Sequence, residues 1–202
     1  MTKLQYALLG DIHSSIEDLK AVLGHISIEA PHAEVIGLGD LYECTVSKKD
    51  LRGQIYPSVN EVIKHPEGFE KLLTFPSVYG NQEERILLLT EHAEPLRDYL
   101  HDLSETLSAG EAVIIHGHQW NSDERNAWLN AQIPDKTIVF HGHTHRAGYT
   151  RDQQEMLISG RGKISLSGKR NIVNVGAVVG SREWVLFNAE ERTVRFMRAQ
   201  RG

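Results

Sequence analysis

Five short apolar runs in the first 145 residues each end in a polar tip, and this pattern restricts the possible folds more than any other feature. The runs are YALLGDIH, AEVIGLGD, FPSVYGN, EAVIIHGH and TIVFHGHTH. Each has the length of a buried strand. Alternation of such strands with helices predicts an α/β fold with a largely parallel central sheet, which binds ligands at the carboxyl ends of its strands. The polar tips therefore lie where a site is expected.

The residues between these runs predict helices. Ser14 and Ser15 are both suitable N-caps, and apolar residues at helical spacing follow them from Ile16 to Ile26. Further helices are predicted over 58–73, over 83–104 with a kink or break at Pro95, and near 122–131.

After Arg146 the pattern changes to short strands and hairpins, with one turn near Asn188. We expect these strands to form a second, antiparallel sheet packed against the first. A chain of 202 residues can bury the core of one large domain. We therefore predict a single domain, residues 1–202, with a strand–helix part over about 1–145 and an antiparallel part over about 146–200.

Composition excludes several kinds of protein. The formal net charge of -5 argues against sequence-independent binding of nucleic acid, which needs a broad basic surface. Cys44 is the only cysteine, so the chain forms no intramolecular disulfide and no cysteine-rich zinc module. No stretch approaches the roughly 18 apolar residues of a membrane span, and the first apolar run is too short for a secretory signal. We expect a cytoplasmic protein without membrane association.

The polar tips are most informative when they are taken together. Singly, Gly-Asp after a strand is as well explained by a turn or a helix cap, and histidines at strand ends are often satisfied by backbone carbonyls. However, His141, His143 and His145 occupy every second position, so a strand would point them to one face. The tips together supply the candidate ligands Asp11, His13, Asp40, Asn81, His116, His143 and His145.

This set of side chains predicts a site for two metal ions. Turn formation has no need for imidazole groups at three of the five tips. A mixture of nitrogen and oxygen ligands suits Mn, Fe, Co or Zn, whereas a set of oxygen ligands alone suits Mg or Ca. Seven groups exceed the needs of one tetrahedral ion and suffice for two ions if one carboxylate bridges them.

In their order, the motifs resemble the dispersed signature of the calcineurin-like metallophosphoesterase superfamily, in particular its small bacterial-type, phosphodiesterase-like branch. The family motifs Asp-x-His, Gly-Asp, Gly-Asn, His and Gly-His-x-His are matched by Asp11-Ile-His13, Gly39-Asp40, Gly80-Asn81, His116 and Gly142-His143-Thr144-His145. The match covers residues 8 to 145. NVGAVVG extends it more weakly to about residue 187, with Ala177 and Val178 in the places of Ser and Val. The resemblance implies a layered αββα sandwich with mixed sheets between helices.

The resemblance also implies the ligands of each ion. One ion would be surrounded by Asp11, His13, Asp40 and His145, and the other by Asp40, Asn81, His116 and His143. The ions would be two divalent transition ions, with Mn preferred over Fe, Zn, Co and Ni. Lying about 3.5–4 Å apart, they would clamp a phosphoryl group between them and supply a bridging hydroxide for attack on phosphorus. The candidate catalytic residues are Asp40, Asn81 and His118.

Two departures from the family pattern bear on the substrate. Many relatives continue Gly-Asn with a histidine near the leaving-group oxygen, whereas this chain has Gln82, which donates a hydrogen bond but delivers no proton. His118 or His141 can take that place, although a structural or ligand-orienting role is the first interpretation of His141. Asp40 also lacks the neighbouring arginine of Ser/Thr protein phosphatases. We therefore expect the substrate to be a phosphodiester or phosphoanhydride of a small molecule or nucleotide.

Other functions stay open at this point. The chain could be a phosphomonoesterase or protein phosphatase of the same family, a non-catalytic metal-binding scaffold with this fold, or an unrelated single-metal hydrolase. The scaffold is disfavoured because every ligand position is filled.

Some further residues are expected near the site or at the surface. The segment from Cys44 to Phe69, together with Tyr42, Tyr56 and Arg52, is a candidate cover that selects the substrate. Arg85, Arg146 and Arg182 could reach a phosphate of the substrate, but a solvated surface role is the first expectation for each.

Overall fold

The structure is a computed structural model that describes residues 4–47, 49, 53–135, 137–158, 160 and 162–200. Arg52, a part of the candidate cover, lies outside the described residues. The strands are, in chain order, β1 (Gln5–Leu9), β2 (Glu34–Gly37), β3 (Glu43–Cys44), β4 (Ile63–Lys64), β5 (Thr106–Ala109), β6 (Ala112–Ile115), β7 (Ile138–His141), β8 (Gly148–Arg151), β9 (Gln154–Met156), β10 (Ile164–Ser165), β11 (Asn171–Asn174), β12 (Glu183–Asn188) and β13 (Thr193–Arg198). The α-helices are α1 (Ile16–Glu29), α2 (Asn81–Leu89), α3 (Pro95–His101) and α4 (Arg125–Gln132).

Two mixed β-sheets form the centre of the molecule. The first sheet has the order β10-β13-β12-β1-β2, in which β1 and β2 are parallel and the other pairs are antiparallel. The second has the order β5-β6-β7-β11-β8-β9, with β6, β7 and β11 parallel to one another. β3 and β4 form a separate two-stranded ribbon.

Apolar side chains hold the sheets and helices in four layers. Between the sheets, residues such as Leu8 and Phe187 of the first sheet share a core with Phe140 of the second. On the outer face of the first sheet, α1, α2 and α3 bury residues that include Leu19 and Ile86. Other apolar contacts occur on the outer face of the second sheet, where α4 packs on β6, β7 and β11. This is the αββα sandwich that the family resemblance implied.

Local sequence explains several of the helix boundaries. α1 begins at Ile16 with Ser15 at the N-cap, as predicted, although the Ser15 hydroxyl donates to Asp18 instead of accepting from the helix backbone. Pro95 is the first residue of α3, a position that needs no backbone N–H, and it separates α3 from α2. The predicted break at Pro95 is therefore confirmed.

The largest difference from prediction concerns the sheets. The strands after Arg146 do not form a second antiparallel sheet: β10, β12 and β13 extend the first sheet, while β8, β9 and β11 extend the second. The predicted single parallel sheet is likewise divided, because β1 and β2 lie in one sheet and β6 and β7 in the other. Hydrophobic periodicity records which face of a strand is buried but not which sheet the strand joins.

Two element predictions were wrong. The predicted helix over 58–73 is replaced by the short strand β4 between two 3-10 turns, Val59–Glu61 and Glu70–Leu72. FPSVYGN does not form a regular strand; its Ser77 and Val78 make isolated bridges to Gly37 and Ser104. Both segments have buried apolar residues without a sustained period of either kind, so burial was mistaken for regular structure.

Candidate metal centre

The first of two ligand clusters consists of Asp11, His13 and His145, whose ligand atoms all lie within 4.8 Å of one another. Asp11 and His13 follow β1, while His145 lies in the loop after β7. The Nε2 atom of His145 is 3.3 Å from Asp11 Oδ1 and 3.0 Å from His13 Nε2. The Asp11 carboxylate also accepts a hydrogen bond of 2.9 Å from the backbone N–H of His143. The end of the first sheet is thereby joined to the end of the second.

The second cluster consists of Asp40, His116 and His143, again with all ligand atoms within 4.8 Å. Asp40 follows β2, His116 follows β6 and His143 follows β7. His116 Nε2 lies 3.4 Å from Asp40 Oδ2. The other ring nitrogen of His116 donates to the carbonyl of Leu38 over 2.6 Å, which fixes the tautomer that turns Nε2 toward the carboxylate.

Asp40 lies between the two clusters. Its Oδ2 atom is 3.6 Å from His13 Nε2 and 3.4 Å from His116 Nε2. The other oxygen, Oδ1, accepts a hydrogen bond of 2.8 Å from the backbone N–H of Gln82. One oxygen thus faces ligands of both clusters, while the other is held by the backbone.

The residues present fit a pair of metal ions. Among the described residues, Asp11 Oδ1, Asn81 Oδ1 and His116 Nε2 are buried without a hydrogen-bond partner. Buried polar atoms are rarely left unpaired, and each of these atoms can ligate a divalent cation. Asn81 is the first residue of α2, which follows the loop from Tyr79 that packs against Gly39. Its unpaired oxygen makes it a candidate ligand beside the second cluster.

Electrostatic interactions within the centre set the charge of its ligands. Burial alone would raise the pKa of Asp40, but His116 and hydrogen bonds outweigh it and lower the pKa to about 2. Burial lowers the pKa of His116, yet the Asp40 carboxylate raises it to about 9. Burial and the nearby His116 lower the pKa of His143. Near neutral pH, Asp40 is therefore ionised and His143 is neutral, as metal ligands must be. His116 is protonated, and binding of a metal ion would displace that proton into solvent.

The backbone of the centre is strained. Left-handed φ angles occur at non-glycine residues around both clusters, namely Asp11 (51°), His13 (47°), Ser14 (56°), Asp40 (50°), His143 (70°) and His145 (58°). Each such residue costs roughly 1–3 kcal/mol and persists only where the surroundings enforce it. Such strain is typical of residues that present their side chains to a ligand.

Two glycines of the motifs are required by close approach. A Cβ on Gly142 would lie 2.5 Å from Asp11 Oδ2, and one on Gly80 would collide with the Asp40 carboxylate. A side chain at either position would push a carboxylate out of place. The Gly-His-x-His and Gly-Asn motifs thus have a steric reason for their glycines.

Glu83 supports the Asp40 loop and was not predicted. Its wholly buried carboxylate accepts hydrogen bonds from the backbone N–H groups of Asp40, Leu41, Tyr42 and Gly80, at 2.9, 2.9, 3.2 and 2.8 Å. Burial and the neighbouring Asp40 raise the pKa of Glu83 to about 7. A glutamate three residues after an N-cap glycine was the available signal, because that spacing is typical of a capping box.

Glu43 was also missed. Its carboxylate pairs with Nδ1 of His13, the ring nitrogen opposite the one that faces Asp40. A carboxylate on the far side of a histidine ring orients that ring toward a metal. The sequence shows only that Glu43 is near Asp40, so no pattern pointed to His13.

Comparison with protein-family models places these motifs in one family. The model described as a calcineurin-like phosphoesterase superfamily domain matches residues 4–189 of this chain. The chain belongs to the calcineurin-like phosphoesterase superfamily. The family resemblance seen in the motifs is therefore confirmed, and membership supports a metal-dependent phosphoesterase in general. A comparison with curated proteins gives no significant match.

Solved structures of similar fold include a metallophosphoesterase, a phosphodiesterase and Vps29. A metallophosphoesterase from Sphaerobacter thermophilus has a TM-score of 0.69 at 20% identity, covering 100% of this chain and 90% of that chain. A phosphodiesterase of archaeal origin has a TM-score of 0.52 at 17% identity, with 96% and 98% coverage. Vps29 from Entamoeba histolytica, complexed with Zn²⁺, has a TM-score of 0.51 at 17% identity, with 95% and 89% coverage. At these identities the similarities show the fold.

Gln82 stands where many relatives have a histidine, and its side-chain oxygen is not directed at the metal clusters. The side chain of Gln82 is buried, and its Oε1 atom accepts hydrogen bonds from Cys44 N–H and Arg85. His118, in contrast, lies next to the second cluster, with ring centroids 5.3 Å from His116 and 6.3 Å from His143. Its Nε2 is 3.1 Å from Glu84, while Nδ1 is buried and has no partner within the described part of the chain.

Other residues singled out in the sequence lie outside the two clusters. His141 is buried against Trp120 on the far face of β7, and burial lowers its pKa to about 3, so the ring is neutral. This agrees with the structural role considered first. Tyr42 is wholly buried against Phe69, and Tyr56 packs on the same core. The prediction that these two tyrosines cover the site was therefore wrong.

The three arginines expected at the surface differ in their surroundings. Arg85 is half-buried and donates to Cys44 and Gln82. Arg182 is paired with Asp18 at 2.6 Å and was wrongly expected to be solvated. Arg146 is exposed, as predicted, and lines a cavity. In the described part of the chain, no helix combines the length and apolar character required to cross a bilayer.

Proposed function

We propose that this chain, acting as a single domain, is a dinuclear metal-dependent hydrolase of a phosphodiester or phosphoanhydride in a small molecule or nucleotide. The observation that carries the proposal is the position of Asp40, whose Oδ2 lies 3.6 Å from His13 and 3.4 Å from His116. A carboxylate oxygen shared by two clusters is the arrangement that a bridging ligand requires. The structural similarity to an archaeal phosphodiesterase is consistent with this class of substrate.

The ligand atoms favour two divalent transition ions. One ion would be held by Asp11, His13, Asp40 and His145, and the other by Asp40, Asn81, His116 and His143. Mixed imidazole and carboxylate ligands suit Mn first, with Fe, Zn, Co or Ni as alternatives. Ions bound there would neutralise phosphoryl oxygens and make a water molecule acidic enough to act as a nucleophile near neutral pH.

The residues of the chain orient the substrate around that centre. Asp40 and Asn81 hold their oxygens at fixed positions through α2 and the Glu83 hydrogen bonds. His118 lies next to the second cluster, and while its Nε2 pairs with Glu84, its Nδ1, which has no partner among the described residues, can accept a hydrogen bond from a water molecule at the centre. Because Gln82 faces Cys44, it offers no proton to a poor leaving group. Substrates whose leaving group departs as a stable anion are therefore favoured.

The setting of the activity follows from composition. A net charge of -5 disfavours a stable hold on nucleic acid, so the partner proposed is a small phosphate ester or nucleotide. A single buried cysteine suits a cytoplasmic location, which fractionation of cells can test.

The proposal is tested by a hydrolysis panel and by metal analysis of the same preparation. The panel compares monoesters, diesters and dinucleoside polyphosphates with Mn, Co, Zn, Ni or Mg added. We expect two ions per chain and turnover of a diester or anhydride. Asp40→Asn should lower kcat/KM by roughly a thousandfold or more, since the ions supply most of the charge stabilisation, and should reduce metal content.

Asp102→Asn is the matched control, because this aspartate side chain is 82% exposed and lies on the far end of α3. It should keep both metal content and activity. A metal-loaded protein that hydrolyses none of the substrates would contradict the proposal and would favour a scaffold. Preference for phosphoproteins would instead indicate a protein phosphatase.

A further inference from the structure

A cavity of about 440 Å³ borders the loop that carries His143 and His145. It lies between that loop, the N-terminal end of α4 and the hairpin of β8 and β9. Its volume is in the range of small-molecule sites. None of the residues proposed as metal ligands lines it. Thr144, the residue between His143 and His145, does line it, so the cavity adjoins the loop that carries two of the candidate ligands.

One wall of the cavity is cationic. Arg125 and Arg146 both line it, and neither forms an ion pair within 4.0 Å among the described residues. Arg125 makes one hydrogen bond, of 3.3 Å to the Thr150 hydroxyl, and its Nε is buried without a partner in the part of the chain that the structure describes. A buried guanidinium nitrogen without an acceptor is costly unless a ligand supplies one.

Another part of the lining is apolar. It comprises Met156, Leu157 and Ile158, at the end of β9 and just after it. Leu157 is 95% exposed, although contact of an apolar side chain with water is unfavourable in free energy. A ligand that has both an anionic group and a flat apolar group matches both parts of the lining. Glu155 is the acidic residue in the lining; it lies on β9 across from Thr150, the hydrogen-bond partner of Arg125, and it interacts electrostatically with that arginine.

Asn174 connects the cavity to the metal-binding loop. Its Nδ2 donates to the carbonyl of Gly142 at 3.0 Å and to the Thr144 hydroxyl at 2.8 Å. The Thr144 hydroxyl therefore has its acceptor function used and its hydrogen free to donate. A phosphate in the cavity can accept from this hydroxyl while a neighbouring phosphoryl group lies at the metal centre.

We propose that this cavity binds the leaving group of the substrate, and that this leaving group is a nucleoside phosphate. The substrate is then a phosphoanhydride such as a nucleoside polyphosphate. This rests on the proposed hydrolase function. In the reaction, the oxygen of water forms a bond to phosphorus and the P–O–P bridge breaks. The bridging oxygen keeps the electron pair and leaves with the nucleoside phosphate, and the proton of water passes to solvent.

The position of Gln82 agrees with this substrate class. A phosphate leaves as a stable anion and needs no proton, whereas an alkoxide does. The chain lacks a proton donor at position 82 and places two arginines where the anion departs. In a phosphoanhydride hydrolase, arginines that stabilise the departing phosphate make a proton donor at position 82 unnecessary. An enzyme for alkyl monoesters would still need that donor, because arginines do not protonate an alkoxide.

The test compares Arg146→Gln and Arg125→Gln with the control Arg195→Gln, a half-buried arginine of β13 outside the cavity. ADP binding to chelator-treated protein is measured by calorimetry. Each cavity variant should weaken ADP binding by about tenfold or more, since each removes a charged hydrogen-bond donor. With Mn present, KM for a dinucleoside polyphosphate should rise similarly while kcat/KM for bis(4-nitrophenyl) phosphate stays within about twofold. Because Arg146 is exposed, its variant is expected to fold even if the Arg125 variant does not.

The outcomes separate the cavity from the metal chemistry. If ADP binds all variants equally, or if both cavity variants lower activity on the two substrates alike, the inference is overturned and the proposed hydrolase stands. If no substrate is hydrolysed but ADP binding is lost in the cavity variants alone, the cavity is a nucleotide site and the proposed hydrolase fails.

Discussion

Glu43 orients one candidate metal ligand, the ring of His13. It pairs with Nδ1 of His13, so that Nε2 points to the cluster. Glu43→Gln keeps the size of the side chain but removes its charge. We expect the affinity for the first ion to fall by about tenfold to a hundredfold, as for other carboxylates behind a ligating histidine. Calorimetric titration of Mn into chelator-treated protein measures this change.

Glu34→Gln is the control for that substitution, because Glu34 is exposed at the start of β2. It should leave the affinity unchanged. Equal affinities for wild type and Glu43→Gln would mean that the His13 ring is oriented by other contacts, such as its proximity to Asp40.

The difference between predicted and missed residues has a physical reason at this scale. The seven candidate ligands could be named because each stands in a short motif at the end of an apolar run, and the structure brings six of them into two clusters. Glu43 and Glu83 act over separations of 30 and 43 residues on partners that no local pattern identifies. A glutamate in a loop or in the first turn of a helix has many possible partners before the fold is known.

At the scale of elements, Asp18 fastens α1 to the loop before β12. Its carboxylate accepts from Gly180 N–H at 2.8 Å and from Arg182 Nε at 2.6 Å. Asp18→Asn should lower the free energy of unfolding at neutral pH by about 1–2 kcal/mol, because it weakens charged hydrogen bonds that are only partly exposed. Urea unfolding of both proteins measures the difference.

The effect of Asp18 should depend on pH. Burial raises the pKa of this carboxyl, but the bonds to Arg182, Gly180 and Ser15 outweigh it, so the pKa in the folded state is lowered. The contribution of Asp18 to the free energy of unfolding is therefore complete above the ordinary aspartate pKa of about 3.9. It is lost as the pH falls through the lower pKa that Asp18 has in the folded state. The difference between wild type and Asp18→Asn should shrink over that acidic range. A difference independent of pH would show that the substitution acts through packing.

Element boundaries were predictable where local chemistry determines them. Ser15 before α1 and Pro95 at the start of α3 are examples, because the Ser15 hydroxyl bonds Asp18 in the first turn and a proline needs no N–H partner at the first helical position. The 58–73 segment was not predictable in this way. Its structure depends on pairing between β3 and β4 and on burial of Val59 and Phe69 in a core formed by distant residues.

At the scale of the whole molecule, the candidate metal centre lies where the ends of the two sheets meet. Asp11 and Asp40 follow strands of the first sheet, whereas His116 and His143 follow strands of the second. Apolar runs predicted that the polar tips share one edge, but not that this edge is formed by two sheets. Ions bound between them should act as cross-links, since they bind only when both sheets are in place.

Metal binding should therefore raise the stability of the folded chain. At a free metal concentration of about a hundred times Kd, one site contributes about 2.7 kcal/mol, which for a chain of this size corresponds to a rise in Tm of roughly 5–10 °C. Adding Mn to chelator-treated protein should produce that rise, and excess chelator should reverse it. Differential scanning calorimetry at fixed protein concentration measures both steps.

Asp40→Asn distinguishes binding at this centre from binding elsewhere on the surface. The variant loses the carboxylate shared by both clusters, so at least half of the metal-induced rise in Tm should disappear, while Asp102→Asn should keep all of it. The six strained ligand-loop residues are expected to make the metal-free protein less stable than its core would allow, because strained sites lower stability in favour of function. A rise in Tm that is undiminished in Asp40→Asn would place the stabilising ions outside the two clusters and would leave the sheets joined by side-chain contacts alone.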